Sequence, residues 1–94
     1  VSAQMKIFMD RCFSFLDENY DSEIKGKSAA IVVACGSPEP AMTKISRLIL
    51  EDFIKFNKMN IVGGVTGLNL QQKDDALKNQ ALMAEAFQIG RKFI

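Results

Sequence analysis

The chain has 94 residues, 48% of them hydrophobic and 24% charged, with a formal net charge of +1. That length allows one small domain, and that hydrophobic content excludes a disordered tract. The near-neutral charge, with lysines interleaved among acids, excludes a nucleic-acid footprint, and no apolar run is long enough to span a bilayer, so neither nucleic acid nor membrane is an expected partner.

Histidine is absent. A Ser-His-Asp or Cys-His nucleophile system therefore cannot be built from this chain alone. Two cysteines, Cys12 and Cys35, do not make a disulfide framework, and with carboxylates they show no metal-like spacing. The expected compartment is a reduced, cytoplasmic one, and no metal site is expected.

The elements read helix, strand, helix, strand, helix. A first helix is predicted from about Ser2 to Asn19, with Ser2 as its N-cap and Met5, Phe8, Met9, Cys12, Phe15 and Leu16 as one apolar stripe. Lys6 and Asp10, four apart on that helix, can form a surface pair. Asn19 to Gly26 is polar and turn-like. Ala29–Cys35 is a continuous apolar run without alternation, which predicts a strand buried on both faces. Gly36-Ser37-Pro38-Glu39-Pro40 ends it.

A second helix is predicted from about Pro40 to Asn57, since proline at a helix start sacrifices no hydrogen bond. Its inward face is expected to carry Met42, Ile45, Ile49, Phe53 and Phe56, with Leu48 beside them. Asn60–Val65 reads as a second strand. The last helix is predicted from about Asp74 to Phe93, with Asp74 and Asp75 at its positive end and Arg91 and Lys92 at its negative end. Leu82, Met83, Ala86, Ile89, Gly90 and Phe93 are its expected inward residues. Apolar strands alternating with amphipathic helices imply an α/β fold with parallel strands and a right-handed crossover.

The run from Ser2 to Arg11, S-x-Q-M-K-I-F-M-D-R, resembles the helix after the third strand of flavodoxin-like NAD(P)H-dependent FMN reductases, including the iron–sulfur flavoprotein branch. The resemblance continues to Ile94. It implies a partial flavodoxin-like three-layer sandwich in which the two strands are the fourth and fifth of a 2-1-3-4-5 sheet. The first two helices should then lie on one sheet face and the last on the other. The family's N-terminal half, which cradles the flavin phosphate, has no counterpart in these 94 residues.

The site candidates lie where ligands bind in open α/β sheets, beyond the carboxyl end of the longer strand. Gly36 lets backbone approach a planar ring, and Ser37 offers a hydroxyl and an N–H. The resemblance implies that this loop touches the isoalloxazine edge. The same residues also read as a Gly-Ser-Pro turn that caps a strand. Cys35 reads as a redox thiol or, lacking a basic neighbour in sequence, as a small core residue. Ser2 reads as an N-cap or as a remnant of the flavin-facing loop. Gly63-Gly64-Val65-Thr66-Gly67 does not match a dinucleotide fingerprint and reads as a strand end under close packing. No acid, base or nucleophile is assigned.

The function these readings imply is the C-terminal part of an NAD(P)H-dependent FMN oxidoreductase, passing electrons from nicotinamide through flavin to an acceptor. FMN binding by these residues alone is expected to be weak or absent. The rival is a cofactor-free module acting in self-association. With no third strand beside it, Ala29–Ala34 is expected to be an open edge that drives a homodimer through Ile31, Val32 and Val33.

Overall fold

The computed structural model describes residues 1–93. It is an α/β arrangement consistent with part of a flavodoxin-like fold. Its elements are α1 (Ala3–Arg11), a 3₁₀ turn (Cys12–Phe15), β1 (Ser28–Ala34), α2 (Ala41–Phe56), β2 (Asn60–Gly67), α3 (Asp75–Lys78) and α4 (Gln80–Arg91). β1 and β2 pair in parallel as a two-stranded sheet, as expected. The second strand runs two residues further than predicted. The register slips by one between Ala29 and Ala30, leaving Val62 as the extra residue on β2. The Val62 carbonyl accepts a hydrogen bond from Lys92 Nζ at 3.1 Å.

Side chains alternate between the sheet faces. A Cβ at Gly64 would point at Arg47 of α2, whereas one at Gly63 or Gly67 would point at Ile89 or Leu82 of α4. By register, Ile31 and Val33 share the α2 face, and Ala30, Val32 and Ala34 share the α4 face. α1 joins α2 on the first face: Phe8 stacks at 6.3 Å on Phe53, and Phe13 at 5.8 Å on Phe56. This matches the expected distribution of helices. The core between these layers is small, with Met9, Cys12, Ile31, Ile54 and Val65 as its buried apolar residues.

Four expectations are corrected. The first helix stops at Arg11 and tightens into the 3₁₀ turn; it does not reach Asn19. The Asp17 carboxylate accepts the N–H groups of Asn19 and Asp21, and Tyr20 takes a left-handed backbone, so the chain turns back and Leu16 bridges Ser22. The last helix is two helices. Asn79 interrupts it because its side chain caps the Leu82 N–H at 3.1 Å, starting α4 afresh. Ahead of it, one Asp75 oxygen accepts the N–H groups of both Gln71 and Gln72.

The third correction concerns β1, which is not buried on both faces. Ile31 is 3% exposed, but Val32 is 70% exposed because α4 lies over β2 and leaves the adjoining face of β1 bare. The fourth concerns α2. Its inward face is Thr43, Arg47, Leu50, Ile54 and Asn57, and of the predicted apolar stripe Phe53 alone is half-buried, against Phe8. Met42, Ile45, Leu48, Ile49 and Phe56 all stay exposed, Ile45 at 70%. The helix is turned by about one residue, roughly 100°, from the orientation its hydrophobicity suggests.

Candidate functional site

The loop after β1 is stitched to the loop after β2. Cys35 N–H donates to the Gly67 carbonyl at 2.9 Å, the Cys35 carbonyl accepts from Leu70 N–H at 3.0 Å, and the Ser37 carbonyl accepts from Asn69 N–H at 2.9 Å. Asn69 reaches that position with a left-handed backbone, φ 58°. Gln71 closes the arrangement: its Nε2 donates to the Gly36 carbonyl at 3.1 Å and lies near Asn69 Oδ1. The strand-end loop is thus held by a partner segment, Asn69–Gln71, that sequence reasoning did not single out. A left-handed asparagine just past a strand was its only signal.

Each predicted site residue has a definite local role. The Cys35 thiol donates to the Ser37 carbonyl at 3.4 Å, which makes it part of the turn. Ser37 Oγ accepts the Glu39 N–H at 3.1 Å, the geometry of a serine turn leading toward α2. Gly36 is exposed, and a Cβ there would make ordinary contacts with Gln71 at 3.7 Å and the Leu70 carbonyl oxygen at 3.8 Å. Among the described residues, the Gly36 and Ser37 N–H groups donate to no acceptor. Each is a free donor just beyond the carboxyl end of a parallel strand.

Ser2 is not brought into this loop. Its Oγ accepts the Met5 N–H at 3.1 Å, so it serves as the N-cap of α1. It lines a separate open groove of about 250 Å³ with Met5, Val33, Ala34, Ser46 and Leu50. The N-terminal ammonium donates to Ser46 Oγ at 3.4 Å on the same side.

Sequence reasoning also missed Arg47. Its Nη1 donates to Thr66 Oγ1 at 2.9 Å and its Nε pairs with Glu51 Oε1 at 3.3 Å. With Pro40, Thr43, Lys44 and Leu68 it borders a shallow groove of about 560 Å³. The one sequence signal was Gly64, where a Cβ would fall 2.6 Å from Arg47 Nη2, so the guanidinium lies directly over the glycine. Arg47 is engaged by the protein itself, and its position braces α2 to β2.

Burial pushes the Cys12 thiol up, which disfavours its nucleophilic thiolate form. Asp21 is held below the usual carboxylate range by its hydrogen bond to Lys58, then by the charges of Lys58 and Lys25. The expected Lys6–Asp10 pair is present at the surface. Among the described residues, no cluster of histidine, cysteine or carboxylates could hold a metal, and no helix is long and apolar enough to cross a membrane. No family model, curated protein or solved structure matches this chain.

Proposed function

We propose that this chain is the C-terminal portion of a flavodoxin-like NAD(P)H-dependent FMN oxidoreductase and forms one wall of its flavin site. One observation carries the reading. The N–H groups of Gly36 and Ser37, unused among the described residues, follow the carboxyl end of β1, where an open α/β sheet binds ligands. The sequence resemblance running from Ser2 onward supports it.

The residues present fit one edge of an isoalloxazine ring. A free N–H of Gly36 or Ser37 can bond a carbonyl on that edge, and the hydrogen bonds from Asn69 and Gln71 keep the loop in shape. When bound, FMN supplies hydride acceptance from nicotinamide and electron transfer onward to an acceptor. This chain's residues would orient the ring and do no proton chemistry. A cytoplasmic setting, where Cys12 and Cys35 stay reduced, agrees with that role.

Titration of FMN into the purified chain tests this, followed by flavin fluorescence and by NMR amide shifts. The sequence offers no glycine- and serine-rich phosphate loop ahead of a helix, so affinity is expected to be weaker than micromolar. The amide shifts should still centre on Gly36 and Ser37. Shifts centred elsewhere at millimolar FMN would overturn the reading. Submicromolar binding would overturn the expectation of a weak site.

A second reading, a cofactor-free module that acts by self-association, is favoured by a different observation. The outward faces of β1 and α2 leave large apolar side chains, Val32 and Ile45 among them, 70% exposed.

A further inference from the structure

We infer that the open edge of β1 is taken by a second copy of this chain, with the two β1 strands pairing antiparallel about a two-fold axis at Val32 to give one four-stranded sheet. The inference rests on the self-association reading and adds the register at which the two edges meet.

Surface area supplies the first argument. A compact monomer of this mass, 10.5 kDa, exposes about 5,400 Å². This chain exposes 6938 Å², an excess of roughly 1,500 Å². Covering that excess on two chains would bury about 3,000 Å², within the range of obligate homodimers. Among the described residues, no large side chain is less than 2% exposed, so the chain alone lacks a fully enclosed core.

Backbone direction supplies the second. Cys35 N–H donates to Gly67 and the Lys27 carbonyl accepts from Asn60. Peptide groups alternate sides along a strand, so Lys27, Ala29, Ile31, Val33 and Cys35 face β2. Ser28, Ala30, Val32 and Ala34 therefore turn their N–H and C=O groups to the open edge. That edge carries no charge, proline or bulge of its own to discourage pairing; the bulge lies on β2.

A two-fold axis requires that outward-facing residues meet outward-facing residues. Centring it on Val32 sets Val32 opposite Val32 of the partner copy and Ala30 opposite the partner's Ala34. Each such pair exchanges two hydrogen bonds. The small alanines and the valine pair then share the bare α4-side face, between the two α4 helices. The same register brings the Lys25 end of one strand to the Glu39 end of the other, which is favourable in charge. A third strand from a longer flavodoxin-like chain would compete for this edge, because the edge holds one neighbour.

The test uses the 94-residue chain. Sedimentation at micromolar concentration should give a species of twice the 10.5 kDa chain mass. Val32→Pro removes an outward N–H and spares the β1–β2 ladder, since proline is tolerated on a free edge. It should give a monomer with an unchanged far-UV spectrum. On the unmodified chain, amide exchange should be as slow at Ala30, Val32 and Ala34 as at Ile31 and Val33, and this readout decides the matter if the proline variant fails to fold. Fast exchange confined to Ala30, Val32 and Ala34 would overturn the inference. A dimer that survives Val32→Pro and is lost in Ile45→Glu would place association on α2, overturning the edge and keeping the self-association reading. A monomeric unmodified chain would overturn both while leaving the FMN titration informative.

Discussion

The two faces of the sheet are covered unequally. On one face α1 and α2 together lie over both strands, and Ile31 is sealed at 3% exposure. On the other, α4 covers β2 alone, and Val32, one residue along the same strand, is 70% exposed. Adjacent residues of similar chemistry thus have opposite fates. The cause is helix placement: α4 packs Ile89 and Leu82 onto Gly63 and Gly67, and those glycines exist only on β2. A glycine pair draws the helix close over its own strand and leaves the neighbour uncovered.

The contrast can be broken most directly at Ile31. Ile31→Ala should lower the unfolding free energy by about 3 kcal/mol, read as a fall in urea midpoint with unchanged slope, because a sealed site leaves a cavity. The matching truncation on the thin face, Leu82→Ala, should cost about 1 kcal/mol, since Leu82 is only half-buried and area lost from water scales the effect. Equal losses at the two positions would mean that the faces are covered alike. Asn79→Ala sharpens the picture of α4 as a separately capped helix and should cost about 1 kcal/mol, with the loss seen first as faster amide exchange at Ala81 and Leu82. No change in exchange there would mean that α3 and α4 behave as one helix.

The smallest effect concerns the loop that cuts α1 short. Asp21 has a folded-state pKa below its unfolded one, so its pairing with Lys58 supports the fold above the unfolded carboxylate pKa. That support is lost as pH falls through the lower folded value. Because the carboxylate is solvent-exposed, the effect is slight and should fade with added salt. The acid limb of a thermal-stability profile should be marginally flatter in Asp21→Asn, and a steeper limb would contradict the assignment.

The candidate loop after β1 shows how far local pattern reaches. Cys35, Gly36 and Ser37 lie at the strand end as their order implies, because a glycine-serine-proline sequence stops a strand wherever it occurs. What holds them could not be read from the sequence. Asn69 and Gln71 lie more than thirty residues away and meet the loop only because β1 and β2 are parallel and end side by side. Ser2 has the opposite lesson. It is a helix cap, a local role that its sequence position already described, and the structure gives it a groove apart from the loop.

The sequence by itself determined the alternation of helix and strand, the two strands, the span of α2 from Pro40 onward and the cap at Ser2, because each depends on a few neighbouring residues. Only the tertiary structure decided the parallel register with its extra Val62, the turn of α2 that buries Thr43 and exposes Ile45, and the bare face at Val32. Hydrophobic periodicity shows that a helix has an apolar side, but packing chooses which side meets the sheet. Here the side that meets the sheet is the one on which Arg47 lies over Gly64 and bonds Thr66, not the most apolar side.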